Sequence, residues 1–233
     1  LRSIGLEPIP KLNFSTTHDT WLKDYHRMVS TPEYYRVCRD ILKDVAEIFD
    51  SPRFFHLGYD EEQPANHVNH DFLVVRQGEL WWHDILWFVR ETESLGMRPW
   101  IWGDAYCHLR DEFLNRLPKS VLLSGWYYEN RFESEDRAFW RSLWDEFAAF
   151  ENAGFDQVPC GSRCYQTDNF PKLASRCRDM IDPDRLKGFL MASWSPTLPD
   201  LPGKGSDYLR KNLEAVDRVS EAMNEFRHKH SAT

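Results

Sequence analysis

The sequence predicts an α/β fold built on a parallel sheet, and two observations carry the prediction. Apolar runs of strand length alternate with segments of helical periodicity in six successive units, and no hairpin signal joins any two runs. The 233 residues are 42% hydrophobic and 15% aromatic, ample apolar mass for one domain with one core. Six units suit an open doubly wound sheet, although no Gly-rich phosphate loop follows any strand. The other option is a (β/α)8 barrel, which needs eight units over about 250 residues.

Taken in order, Leu1 to Gly5 reads as the last turn of a helix closed by a C-cap glycine. Leu6 to Phe14 reads as a strand, with Ile9, Leu12 and Phe14 apolar, and Ser15 to Thr20 as a polar loop. Thr31-Pro32-Glu33 starts a helix with proline at its first position. Tyr34, Tyr35, Cys38, Ile41, Leu42, Val45, Ile48 and Phe49 follow at helical spacing. Phe54 to Leu57 is a short buried strand that breaks at Gly58. After an excursion from Gln63 to Gly78, a helix runs from about Glu79 to Leu95, and Gly96 ends it. Arg98 to Trp102 is the next strand, ending at Gly103-Asp104, and Val121 to Trp126 is another. The helix from about Asp136 to Asn152 carries Phe139, Trp140, Leu143, Trp144, Phe147 and Phe150 on one side. Gln157 to Cys160 reads as a short strand, Phe170 to Ile181 as a helix entered through Pro171, and Phe189 to Trp194 as the last strand. Asp207 to Arg227 closes the chain as a helix with Leu209, Leu213, Val216, Met223 and Phe226 as its stripe.

Within this order, the chemistry gathers at Phe54 to Glu62. Asp60, Glu61 and Glu62 follow directly on a buried run, and like charges this close repel and resist desolvation. Parallel folds place their sites at such strand ends. A solvated acidic loop is the other reading of the same residues. Neighbouring extended residues point to opposite faces, so Asp60 and Glu61 serve one substrate only if the backbone turns at Gly58 and Tyr59.

Composition narrows the partners. A formal charge of −8 with no basic stripe argues against nucleic acid. No apolar run approaches the roughly 18 residues of a membrane span, and no signal peptide is visible. The ten tryptophans suit a core, and equally a site that stacks on the apolar C–H faces of sugars. Cys38, Cys107, Cys160, Cys164 and Cys177 lack paired metal spacing and read as mostly reduced core thiols. Asp60, Glu61, His67, His70 and Asp71 form the kind of cluster a metal hydrolase uses. Neither His-x-x-Glu-His nor a helical histidine pair accompanies them. His56, inside its strand, reads as a structural histidine.

His56-Leu57-Gly58-Tyr59-Asp60-Glu61 resembles the His-x-Gly-Gly-Asp-Glu signature of family 20 glycoside hydrolases, the β-N-acetylhexosaminidases. Gly5-Leu6-Glu7-Pro8-Ile9-Pro10-Lys11-Leu12-Asn13 is similar to that family's Gly-Ile-x-x-Ile-Pro-Glu-Ile-Asp segment, its third barrel strand. The Phe54 strand is then the fourth. Trp102, Trp126 and Trp194 end the fifth, sixth and eighth, where the family has aromatic walls around one sugar. The resemblance implies a TIM-type (β/α)8 barrel, of which residues 1–233 carry strands 3 to 8 as a single domain, the first two units lying outside it.

The resemblance also implies an activity: retaining hydrolysis of terminal N-acetylhexosamine-type sugars, with the substrate's own 2-acetamido oxygen as the nucleophile. Glu61 would be the general acid, its pKa raised by a tryptophan-rich pocket. Asp60 would accept the acetamide N–H and steady the charge that develops there. His18, Trp102, Asp104, Trp126, Tyr165 and Trp194 would bind the sugar. Tyr165-Gln166-Thr167-Asp168 is one residue longer than the family's Tyr-x-Asp. The implied partner is a carbohydrate, with no metal or cofactor, and the compartment would be secreted or periplasmic as for many members.

Three departures stand against this pattern. Lys11 replaces a glutamate, and Tyr59 replaces a glycine, adding bulk beside the acid pair. On the last strand Trp194-Ser195-Pro196 lacks the glutamate that holds distal hydroxyls, which leaves the sugar open. Two other readings stay open. One is a non-catalytic carbohydrate-binding barrel. The other is a two-carboxylate glycosidase on a non-acetamido sugar, with Asp104 or Asp168 as the second acid.

Overall fold

The strands are parallel and pair in chain order. In the computed structural model, β1 (Phe54–Gly58), β2 (Arg98–Trp102) and β3 (Leu122–Ser124) form one sheet. A second parallel pair joins β4 (Cys160–Ser162) to β5 (Leu190–Ala192). Parallel bridges from Leu123 to Gln157 and from Trp126 to Cys160 link the two. On the far side of β1 the chain from Pro10 to Phe14 runs parallel to it. There His56 N–H donates to the Pro10 carbonyl, Leu12 N–H to that of His56, and Phe14 N–H to that of Leu57. The structure describes residues 1–132, 138–162, 169–192 and 194, with helical positions 214, 217, 220 and 224. The rest of the expected closing helix lies outside the described residues.

The connections are helical: α1 (Pro32–Ile48), α2 (Pro64–His67), α3 (Glu79–Ser94), α4 (Tyr106–Leu109), α5 (Asp111–Arg116), α6 (Ala138–Asn152) and α7 (Asn169–Met180). At the start of α1, Thr31 Oγ1 accepts from Tyr34 N–H at 3.3 Å and Pro32 occupies the first helical position. Tyr34, Cys38 and Leu42, four residues apart, then form one buried stripe. No helix among the described residues is long and apolar enough to cross a membrane. Of the four described cysteines, Cys38, Cys160 and Cys177 are buried.

Alternation along the strands sorts their side chains into two cores. Phe55, Leu57, Ile101 and Leu123 pack with the α1 stripe and with Ile85, Phe88 and Val89 of α3. On the opposite face Trp100, Leu122 and Val158 cluster, with Phe54 and Leu190 packed against them. One step further along, Trp102, Tyr128 and Cys160 make a second layer with Trp126 and Ala192. Residues of β1, β2, β3 and β5 thus meet in one cluster on that face. Trp100 Nε1 donates to Ser124 Oγ at 2.8 Å, which donates to the Val158 carbonyl at 2.6 Å.

Several stretches differ from expectation: Leu6 to Phe14 forms only an isolated bridge at Lys11 rather than a continuous strand. Gln157 to Cys160 pairs through isolated bridges, and the continuous strand begins only at Cys160. Helices α4 and α5 occupy a stretch where no helical pattern is evident. Phe139 is 61% exposed rather than part of the core stripe, because adjacent helical residues lie about 100° apart and Trp140 takes the inward position.

The excursion before α3 contributes the strongest buried electrostatic link. Arg76 has no exposed side-chain surface; it pairs with Glu62 at 2.6 Å and Asp84 at 3.0 Å and donates to the Phe14 carbonyl at 2.8 Å. Its guanidinium lies 4.5 Å from the Tyr59 ring centroid. Asp84 also accepts from Ser30 Oγ and Tyr35 Oη. Removing one partner of such a network strands the other charges in low dielectric. Arg76→Met is expected to cost about 3–5 kcal/mol in urea unfolding; a loss under about 1 kcal/mol would show that the acids find other partners.

Candidate active site

The site is built where β1 stops being a strand. The register slips between His56 and Gly58, a bulge that re-aims the residues after it. Gly58 and Tyr59 both take left-handed backbone, at φ 78 and 68, and Glu61 does so at φ 61. This is the turn needed to bring both acids to one side. A Cβ at position 58 would lie 1.9 Å from Asn13 Oδ1, so only glycine fits there. Asn13 in turn uses both ends of its amide. Its Oδ1 accepts from Ser15 N–H at 3.0 Å and Tyr59 N–H at 3.2 Å, and its Nδ2 donates to Asp60 Oδ1 at 2.6 Å.

The Ser15-Thr16-Thr17 loop completes the clamp. Ser15 Oγ donates to the Asp60 carbonyl at 2.5 Å and Thr17 Oγ1 at 3.3 Å, while Thr16 N–H donates to Glu62 Oε1 at 2.8 Å. Glu62 therefore turns away to Arg76, and only Asp60 and Glu61 face outward. Tyr59 is 2% exposed, packed against Trp81, Phe88 and Arg76. Its bulk enters the core and leaves the acid pair clear, contrary to expectation.

His18, Asp60, Glu61, Trp102, Asp104, Trp126 and Trp194 line one cleft of about 700 Å³. Such a volume suits a ligand of more than one ring. Tyr165 lies outside the described residues. Tyr128, Phe139 and Trp140 line the cleft as well and were not singled out from sequence. Tyr128 follows Trp126 at the alternate position and stacks on it at 5.0 Å; the two helical aromatics gave only a core signal. Trp102 and Trp194 stand 6.1 Å apart, closing another wall.

The charges differ from the sequence reading in one respect. His18 Nε2 lies 3.0 Å from Glu61 Oε2 and 3.8 Å from Asp60 Oδ2. The hydrogen bond to Glu61 raises the pKa of His18, and the same bond holds Glu61 below the usual carboxylate range. Glu61 is half exposed and ion-paired, so it rests as an anion rather than as the raised acid expected. The raised acid of the cleft is Asp104, pushed to about 7 by burial and then by Asp60. His56 is buried, and burial keeps its imidazole neutral. Its Nδ1 accepts from Gly58 N–H at 3.0 Å, so it shapes the turn. His67 Nε2 donates to the Glu62 carbonyl at 3.0 Å. Among the described residues, no three His, Cys, Asp or Glu side chains converge as metal ligands would.

No protein-family model matches the chain, and no curated protein does. Among solved structures, the chain is similar to the X-ray structure of the family 20 chitobiase of Flavobacterium johnsoniae, with a TM-score of 0.53 at 13% identity. The likeness covers 94% of this chain and 40% of that chain, so this chain spans less than half the length of the chitobiase. At that identity the link to family 20 is one of fold.

Asn13→Asp tests the clamp. It keeps the size and the accepted bonds but sets a carboxylate in place of the donor to Asp60, so one of the two must bind a proton. A carboxyl whose folded pKa is raised loses stability as pH rises. The melting-temperature gap between variant and wild type should therefore widen from about pH 5 to about pH 8. A gap that stays constant would show that Asn13 does not donate to Asp60.

Proposed function

We propose that this chain carries strands three to eight of a (β/α)8-barrel glycosidase acting on terminal N-acetylhexosamine-type sugars by a retaining, substrate-assisted mechanism. One observation carries the reading: Asp60 and Glu61, steered by His18, share a cleft with three tryptophans at or just past the C-terminal ends of the parallel strands β2, β3 and β5. The chain-order pairing of those strands and the fold-level likeness to a chitobiase support the barrel.

In this reading the aromatic walls bury the C–H faces of one sugar, and Asp60 accepts its acetamide N–H. Asn13 occupies one oxygen of Asp60 and leaves the other for the ligand. The acid's proton comes from His18. In the open cleft the pair rests as imidazolium and carboxylate. Substrate entry expels water, which disfavours separated charge and moves the proton along the existing hydrogen bond to Glu61. Glu61 then protonates the glycosidic oxygen as that bond breaks, and the acetamido oxygen attacks the anomeric carbon. The cyclic oxazolinium ion bears the positive charge beside Asp60. Water, deprotonated by Glu61, opens it with retention.

A specific observation favours a second reading. Asp104 holds a proton in the same cleft, as the acid of an ordinary two-carboxylate glycosidase would. A screen of aryl glycosides with and without the 2-acetamido group separates the two. The substrate-assisted reading expects turnover only with the acetamide. Glu61→Gln should then lower turnover of unactivated substrates by about 10² or more. Efficient cleavage of plain glucosides, or near wild-type turnover by the variant, would transfer the acid role elsewhere.

A further inference from the structure

Among the described carboxyls lining the cleft, Asp104 is the one without a strong partner. Asp60 has the Asn13 amide and Glu61 has His18. Asp104 receives only a long bond from Trp126 Nε1, at 3.4 Å, to Oδ1. Its Oδ2 has no hydrogen-bond partner among the described residues, and the residue is 7% exposed. Among the described residues no cationic side chain pairs with it. Among the described residues, the titratable groups acting on it most strongly are acids, and the one cationic side chain lining the cleft, His18, is paired with Glu61 and Asp60 instead. Asp60 and Glu61 face it across the cleft, and Tyr128, Cys107 of α4 and Glu146 of α6 are its other titratable neighbours. Glu146, itself buried, is held neutral by burial, with Arg110 as its cationic neighbour.

A buried carboxyl that faces two others and is paired with no cation holds its proton to higher pH than an exposed one. The proton makes it a donor, and a buried donor without a partner is costly until one arrives. The backbone at Gly103–Asp104 is fixed by a turn in which Tyr106 N–H donates to the Gly103 carbonyl at 2.8 Å. Gly103 cannot carry a side chain, since a Cβ there would lie 2.7 Å from the Phe150 ring. The carboxyl is thus placed rigidly, while its soft terminal torsion lets either oxygen turn to a ligand.

We propose that Asp104 meets the ligand as a neutral carboxylic acid, donating its O–H to a sugar hydroxyl oxygen at the floor of the cleft. This rests on the carbohydrate reading of the site and adds a specificity-determining residue to it. It supplies a hydroxyl contact where the chain has Trp194-Ser195-Pro196 in place of a glutamate. A neutral donor suits this place because a third carboxylate would repel Asp60 and Glu61.

The test is the affinity for N-acetylglucosamine, read by tryptophan fluorescence from about pH 6 to about pH 8.5, of wild type, Asp104→Asn and Asp104→Ala. Asparagine mimics the neutral acid, with one donor and one acceptor, and does not titrate. With Asp104 losing its proton near 7, the affinity of Asp104→Asn relative to wild type should rise by up to about thirtyfold across that range. Asp104→Ala should bind more weakly than Asp104→Asn at every pH. A constant ratio, or an Asn variant as weak as the Ala variant at pH 6, would overturn the proposal while leaving the carbohydrate reading intact. If Asp104→Asn binds normally but turns over about 10²-fold more slowly, Asp104 is the proton donor of the reaction and the proposal falls. No binding of the sugar by the wild type would overturn the carbohydrate reading and this role with it.

Discussion

One carboxamide holds the candidate chemistry in place. Asn13, at the end of the segment beside β1, spends both lone pairs of its Oδ1 on backbone N–H groups and one N–H on Asp60. The contact is so close that position 58 admits only glycine. The left-handed turn at Gly58 and Tyr59 results from that, and with it the exit of Asp60 and Glu61 on one side of the sheet. Without the turn, consecutive extended residues would divide the acids between opposite faces. Strained backbone at Tyr59 and Glu61 costs of the order of a kcal/mol each, and the hydrogen bonds around Asn13 and Ser15 offset it.

Three acids in a row also need somewhere to put the third. Arg76 takes Glu62 into the core along with Asp84, and the Tyr59 ring lies beside the same guanidinium. The buried network and the cleft are thus two sides of one loop. Neutralising Glu62 internally leaves Asp60 and Glu61 with one titratable cation between them, His18. The pKa of His18 is raised by its bond to Glu61 at the mouth of the cleft, and that of Asp104 by burial.

Much of this was legible in the sequence where the signal is local. Phe54, Phe55 and Leu57 are bulky and apolar around His56, and Phe55 to Leu57 are buried, so the strand and its break at Gly58 could be read directly. Asp60, Glu61, His18 and the tryptophans were placed by motif resemblance, and they do share a cleft. Long-range pairings were not legible. Nothing near Arg76 announces that it joins Glu62, Asp84 and Phe14, because the partners are assembled by folding. The pKa of Glu61 was misjudged for the same reason: tryptophans suggested desolvation, while the deciding contact is a histidine 43 residues away. Gly161 and Ser162 look like a loop by composition, yet they pair as strand because their neighbours offer the ladder.

The central claim is that the cleft is complementary to a cyclised, positively charged acetamido sugar held against Asp60. The most direct measurement is calorimetric titration of the N-acetylglucosamine thiazoline, a bicyclic mimic of that intermediate, beside N-acetylglucosamine itself. The account predicts that the thiazoline binds at least about 10²-fold more tightly. It also predicts that Asp60→Asn removes most of that advantage while changing the affinity for the free sugar little. Equal affinities for thiazoline and sugar, or an advantage unaffected by Asp60→Asn, would contradict it.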